Sequence, residues 1–117
     1  MLIWIMAVFV SNIVIEQGFD FDATFELEDT STNGPINLTG YGVDSQIRKT
    51  YSSTSSVSFA SSITDPNNGK IQISLGSTTT SSLKSGRYVY DVKLIDTSGG
   101  ILKAVEGSAL VRSGVTR

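Results

Sequence analysis

The sequence contains no cysteine and no histidine among its 117 residues. The first absence removes disulfide bonds and thiolate chemistry; a reducing compartment is compatible with it but not required. The second removes the side chain that most often serves as general base and as metal ligand, and with it much of the case for an enzyme. No base precedes Arg48, so the front of the chain lacks the basic n-region of a secretory signal, and nothing around Ser11 reads as a small-residue cleavage site. No apolar run reaches the roughly 17–25 residues of a membrane span. The run MLIWIMAVFV stops after ten, at Ser11 and Asn12. The formal net charge of −2 offers no attraction to nucleic acid or acidic lipid.

What is there fits one domain, at a length where roughly two-thirds of the unfolded surface can be buried. Three readings of the opening run stand. It is the first strand of a β domain with an apolar arm, a start placed upstream of Met6-Ala7, or an arm that plugs into a partner. Leu2, Ile3, Trp4 and Ile5 are too consecutive for a half-buried strand, whose alternate residues would face water. They fit a segment covered on both sides. The expectation is therefore an apolar N-terminal arm over residues 1–6 and a single domain over 7–117. Leu2, Ile3, Trp4, Ile5 and Phe9 are the candidate partner-binding residues, with Trp4 as the anchor, since tryptophan is enriched among interface hot spots.

Charge divides along the chain. Residues 1–47 carry Glu16, Asp20, Asp22, Glu26, Glu28, Asp29 and Asp44 and no base. Residues 48–117 carry all nine bases against Asp65, Asp91, Asp96 and Glu106. Either early and late strands compensate within one fold, or the subunit is polar and docks on neighbours acid to base.

Alternation with period two dominates. In FDFDATFEL, Phe19, Phe21, Ala23, Phe25 and Leu27 alternate with Asp20, Asp22, Thr24 and Glu26, which places the two sets on opposite faces of a strand. The period recurs at Tyr41, Val43 and Ile47, at Val57 and Phe59, at Ile71, Ile73 and Leu75, and at Tyr88, Tyr90, Val92 and Leu94. Turn chemistry separates the runs: Asn33-Gly34-Pro35, Asp65-Pro66-Asn67-Asn68-Gly69 and Asp96-Thr97-Ser98-Gly99-Gly100. No helical stripe appears, although Thr78–Leu83 has room for one short turn. About seven short strands at this spacing predict an all-β, immunoglobulin-like β-sandwich. The expected core is Phe19, Phe21, Phe25, Leu27, Ile47, Ile71, Ile73, Tyr90, Val92 and Leu94. In LKSGRYVYDV, Tyr88 is placed as a tyrosine corner and Tyr90 two residues on at the inward core position; the alternative is two ordinary strand residues on one face.

The ordered stretches EQGFDFDATFELED, INLTGYGVDSQIRK, GKIQISL, LKSGRYVYDVKLID and VEGSALVRSGVTR resemble a recurrent domain of tailed-phage virions. Short stand-alone versions are structural proteins of cyanobacterial phages, and the layout is similar to the N-terminal domain of phage upper-baseplate proteins. The resemblance runs from Ala7 to Arg117. It implies a non-enzymatic, immunoglobulin-like component of the virion, assembled in the host cytoplasm. Its expected partners are the major capsid protein or other virion subunits, further copies of this chain included, with no nucleic acid and no membrane. A capsid decoration (cement) or head–tail accessory protein is the leading role, and a tail or baseplate adaptor for a fibre the alternative. A host-glycan-binding module is the competitor of another class, but the only tryptophan is Trp4, outside the domain.

No catalytic, metal or cofactor residue is expected. Asp20, Asp22 and Glu26 project from one strand face, the first two about 7 Å apart, and read as a solvated face rather than a carboxylate pair or calcium site. Asn37-Leu38-Thr39 matches a glycosylation sequon but reads as strand-end chemistry. The hydroxyl-rich YSSTSSVSFASS reads as a soluble edge or loop.

Overall fold

Alternation becomes pairing in the strands around Phe25. The computed structural model describes residues 9–29 and 34–115. Strand β3 (Phe21–Glu26) runs antiparallel to β9 (Lys70–Leu75), with Phe25 opposite Ile71 and Glu26 opposite Lys70. Strand β8 (Ala60–Asp65) pairs with the other edge of β9, completing a three-stranded sheet in the order β3-β9-β8.

The larger sheet is built on two long strands, β10 (Gly86–Ile95) and β11 (Ile101–Arg112), joined as a hairpin. Strand β6 (Gly42–Arg48) lies antiparallel on β10, and the short β7 (Val57–Ser58) lies on β6. On the opposite edge, β1 (Phe9–Val10) and β2 (Ile13–Glu16) run parallel to β11, in line with one another. A small β4 (Glu28–Asp29) and β5 (Gly34–Pro35) pair within the connection from β3 to β6. Short strands arise where one run is broken by a bend: β1 and β2 share an edge, and β7 and β8 are one run that changes sheet at Phe59.

That sheet change is held by polar contacts. Phe59 N–H donates to the Ser45 carbonyl at 3.1 Å, and the Ser45 and Ser61 hydroxyls lie 2.5 Å apart, linking β6 to β8 across the two sheets. Between the sheets, Ile13, Ile15, Ile47, Tyr90, Val92, Leu94, Val105 and Val111 meet Phe25, Leu27, Ile71, Ile73 and Leu75, all buried. Each such side chain contributes roughly 1.5–3 kcal/mol relative to exposure. The register shift after Val92 turns both Ala104 and Val105 inward on β11. The fold is an all-β sandwich of two sheets.

The core departs from expectation at one residue. Phe19 is 47% exposed. The strand begins at Phe21, because Gln17, Gly18 and Phe19 form a turn in which Gly18 takes φ +83° and Phe19 N–H returns to the Glu16 carbonyl at 3.2 Å. The alternating pattern runs on through this turn, but pairing does not. Phe21 is half-buried, packed against the core at 6.1 Å from the Phe59 ring.

The segment after β9 forms a helix, α1 (Ser77–Ser82). Its sequence STTTSS has weak helix propensity, and a six-residue helix is too short to stand alone. It is held from outside: Asp20 Oδ1 accepts from Ser77 N–H at 2.8 Å, and the buried Thr80 hydroxyl accepts from Gly18 N–H and donates to the Phe19 carbonyl.

Candidate functional site

The partner-binding residues Leu2, Ile3, Trp4 and Ile5 lie outside the described residues. Phe9, the fifth, pairs with Val105 in β1, at the outer edge of the larger sheet, and Val10 beside it is 66% exposed. The bend that follows is tied down closely. Ser11 N–H donates to the Glu106 carbonyl at 2.9 Å, and Asn12 Oδ1 accepts from both the amide and the hydroxyl of Ser108 at 3.1 Å. The Tyr90 hydroxyl donates to the Ser11 carbonyl at 2.5 Å. Burial pushes the Tyr90 phenol above its ordinary value, against a smaller opposite effect of its Ser11 bond, so it stays a donor. This bend requires Gly107, where a β-carbon would run into the Ser11 carbonyl. Glycine within a strand marks such a close backbone approach.

The two tyrosines of RYVYD have separate environments. Tyr90 is 3% exposed and meets the Phe59 ring edge-on, with centroids 6.1 Å apart. Tyr88 is half-buried; its hydroxyl donates to the Lys84 carbonyl four residues upstream at 2.8 Å, and Lys49 Nζ sits 4.8 Å from its ring centroid.

Beside Tyr88 opens a cleft of about 440 Å³. Ile47, Val57 and Leu83 supply its apolar surface, while Arg48, Lys49 and the Ser53–Ser56 loop surround them. Arg48 braces the loop, donating to the Ser53 carbonyl at 2.7 Å and to Gln46 Oε1 at 2.9 Å. The Thr50 amide donates to the Ser53 hydroxyl at 3.0 Å, closing the turn before it. The hydroxyl run was legible as a loop; that it walls a cleft with Arg48 and Lys49 was not, because the other wall comes from Leu83 and Tyr88, some thirty positions on.

Asp22 and Glu26 share the outward face of β3, and only Asp20 leaves it. Asp20 lies outside the strand and caps α1, Asp22 is exposed, and Glu26 pairs with Lys70 at 3.4 Å. Among the described residues, no group of three or more Asp, Glu, His or Cys could hold a metal ion. The sequon asparagine closes its own turn: Asn37 Oδ1 accepts from the Thr39 amide at 3.0 Å and its hydroxyl at 2.6 Å.

No protein-family model matches the chain, and no curated protein matches it. Among solved structures, it is similar to an internalin-like protein of Listeria monocytogenes, at 13% identity and a TM-score of 0.44. It is also similar to a mutant of the SrpA adhesin from Streptococcus sanguinis, at 11% identity and a TM-score of 0.49. The likenesses cover 92% and 86% of this chain, which spans 28% of the first neighbour and 54% of the second.

Proposed function

We propose that this chain is a non-enzymatic structural subunit of a tailed-phage virion, an immunoglobulin-like sandwich that docks on the assembled particle as a capsid decoration or head–tail accessory protein. The reading starts from the ordered sequence motifs between Ala7 and Arg117. The strand order is consistent with its fold: β11, β10, β6 and β7 against β3, β9 and β8 corresponds to G, F, C and C′ against B, E and D. The Tyr88 bond to Lys84, at the connection from β9 to β10, has the form of a tyrosine corner.

The observation that carries the docking role is the attachment of β1. Phe9 and Val10 pair at the outer edge of β11, and in sequence they are the end of the apolar run. A sheet edge and an apolar segment are the two elements of strand addition, with main-chain bonds giving affinity and side-chain anchors giving specificity. Trp4 is the anchor in this scheme. The glycan-binding alternative gains little, because Lys49 already sits over the ring of Tyr88, the aromatic of the cleft.

Deleting residues 1–5 is expected to leave the sandwich folded, by far-ultraviolet circular dichroism, and to weaken its co-sedimentation with purified virions. Equal retention of both chains would show that the arm is not the anchor.

A further inference from the structure

The strand directions bring the loops into two groups. One end of the sandwich holds residues 17–20, 49–56, 76–85 and 113–115; the other holds 27–41, 66–69 and 96–100. The first end carries Arg48, Lys49, Lys84, Arg87 and Arg112 against Glu16, Asp20 and Asp22. Glu16 is ion-paired to Arg112 and Asp20 accepts from the Ser77 amide, so bases still outnumber acids at this end by two. Among the described residues, Lys49, Lys84 and Arg87 face no carboxylate within ion-pair reach. The second end carries Glu28, Asp65 and Asp96 without an ion-pair partner among the described residues; Lys70 is taken by Glu26, Lys103 further in by Asp91 and Glu106, and Lys93 stands opposite Asp44.

These charges do not cancel within one molecule. The twelve residues of β11 separate the ends by about 40 Å, several times the Debye length of roughly 8 Å at physiological salt. Each end presents its own field. The basic end has the cleft with Ile47, Val57 and Leu83 inside and Lys49 at its side. The acidic end has the β10–β11 hairpin, where the Asp96 carboxylate is followed by Ile101, 64% exposed. A carboxylate next to an exposed aliphatic side chain is the counterpart of a basic-sided apolar cleft.

We infer that a second copy of this chain docks head to tail, its Asp96–Ile101 hairpin end on the basic cleft end of the first. Met end to end, a two-fold contact would set each end against its own kind and repel, whereas an end-to-end heterologous contact sets acid on base and generates a ring or a filament. The contact is between copies and does not depend on the virion reading.

Sedimentation velocity of the full-length chain tests this. At about 10 mM salt, with a Debye length of roughly 30 Å, the sedimentation coefficient is expected to rise with concentration; at about 1 M, with roughly 3 Å, the rise should vanish. Lys49→Glu with Lys84→Glu and Arg87→Glu reverses the basic end, and Glu28→Lys with Asp65→Lys reverses the acidic end. Each variant alone is expected to self-associate at least about tenfold more weakly. An equimolar mixture should form heterodimers, because each supplies the end the other has lost. A wild-type chain that stays monomeric at low salt, association that strengthens with salt, or a mixture that stays monomeric while the wild type assembles would each overturn the contact. A monomeric chain that still sediments with virions would remove this contact alone; a polymerising chain absent from virions would remove the virion reading alone.

Discussion

At the end that carries the β10–β11 hairpin, turns close on themselves. Asp96 Oδ1 accepts from the amides of Ser98 and Gly100 at 2.9 and 2.7 Å, and Asn37 closes its own turn on Thr39. Where segments meet there, backbone meets backbone: Leu38 N–H donates to the Pro66 carbonyl at 2.8 Å and Leu27 N–H to Gly69 at 2.9 Å. The opposite end is joined by side chains that reach far along the sequence. Gln17 Nε2 donates to the Leu83 carbonyl, Asp20 accepts from Ser77, and the Thr80 hydroxyl serves both Gly18 and Phe19, across 57 to 66 positions. Closures of the first kind fail one at a time. Those of the second kind tie α1 and the β2–β3 turn together, so the loss of one side chain loosens both.

The largest effect belongs to the layer between the ends and sets the scale for both. Phe25→Ala should cost roughly 3–5 kcal/mol, while Asp22→Ala, exposed on the same strand, should stay within about 0.5 kcal/mol. Denaturant midpoints decide it; if the two variants unfold together, the inward and outward faces of β3 are misassigned. Thr80→Val comes next. It keeps the volume and strands the Gly18 amide and Phe19 carbonyl, for a loss of about 2–3 kcal/mol, with faster amide exchange at Gly18 and Thr80 alike. A loss confined to one of those sites would break the contrast between the ends.

Tyr88→Phe removes one hydroxyl bond at a partly solvated position and should cost about 0.5–1.5 kcal/mol. An unchanged midpoint would mean that the Lys84 bond does not brace the strand. The smallest effect is at Asp96. The Gly100 amide, then the Ser98 hydroxyl and further backbone amides, hold this exposed carboxyl below its ordinary value of 3.8. A carboxylate with a lowered folded value stabilises fully above the ordinary range and loses that contribution as pH falls through the folded value. The Gly100 amide resonance should therefore titrate with a midpoint below 3.8, and Asp96→Ala should abolish the titration while leaving Gly18 exchange unchanged.

Legibility in the sequence follows the same division. The hairpin Asp96–Gly100 and the turn Asp65–Gly69 were readable because the residues that close them are neighbours in the chain. The strand faces were readable because period two survives in Phe25, Ile71, Ile73, Tyr90, Val92 and Leu94, all buried. Phe19 departs from the pattern because alternation does not register the turn that Gly18 makes and the Phe19 amide closes on Glu16, braced by Thr80 61 positions on. Gly107 carried a local signal, a glycine inside an alternating strand, but not the identity of Ser11 as the backbone that crosses it. The charge division between halves of the chain was visible, yet its arrangement in space was not. The chain visits each end repeatedly, so the basic end collects Arg48, Lys84 and Arg112 from distant stretches along with the early acids Glu16 and Asp20.

The proposed docking role is tested most directly by electron microscopy of purified intact virions. The account predicts repeated density for a two-sheet sandwich on the particle surface, with the β1–β11 edge turned toward a neighbouring subunit and Trp4 inside it. A purified virion without the chain, or a sandwich held there with the β1–β11 edge facing solvent, would contradict it.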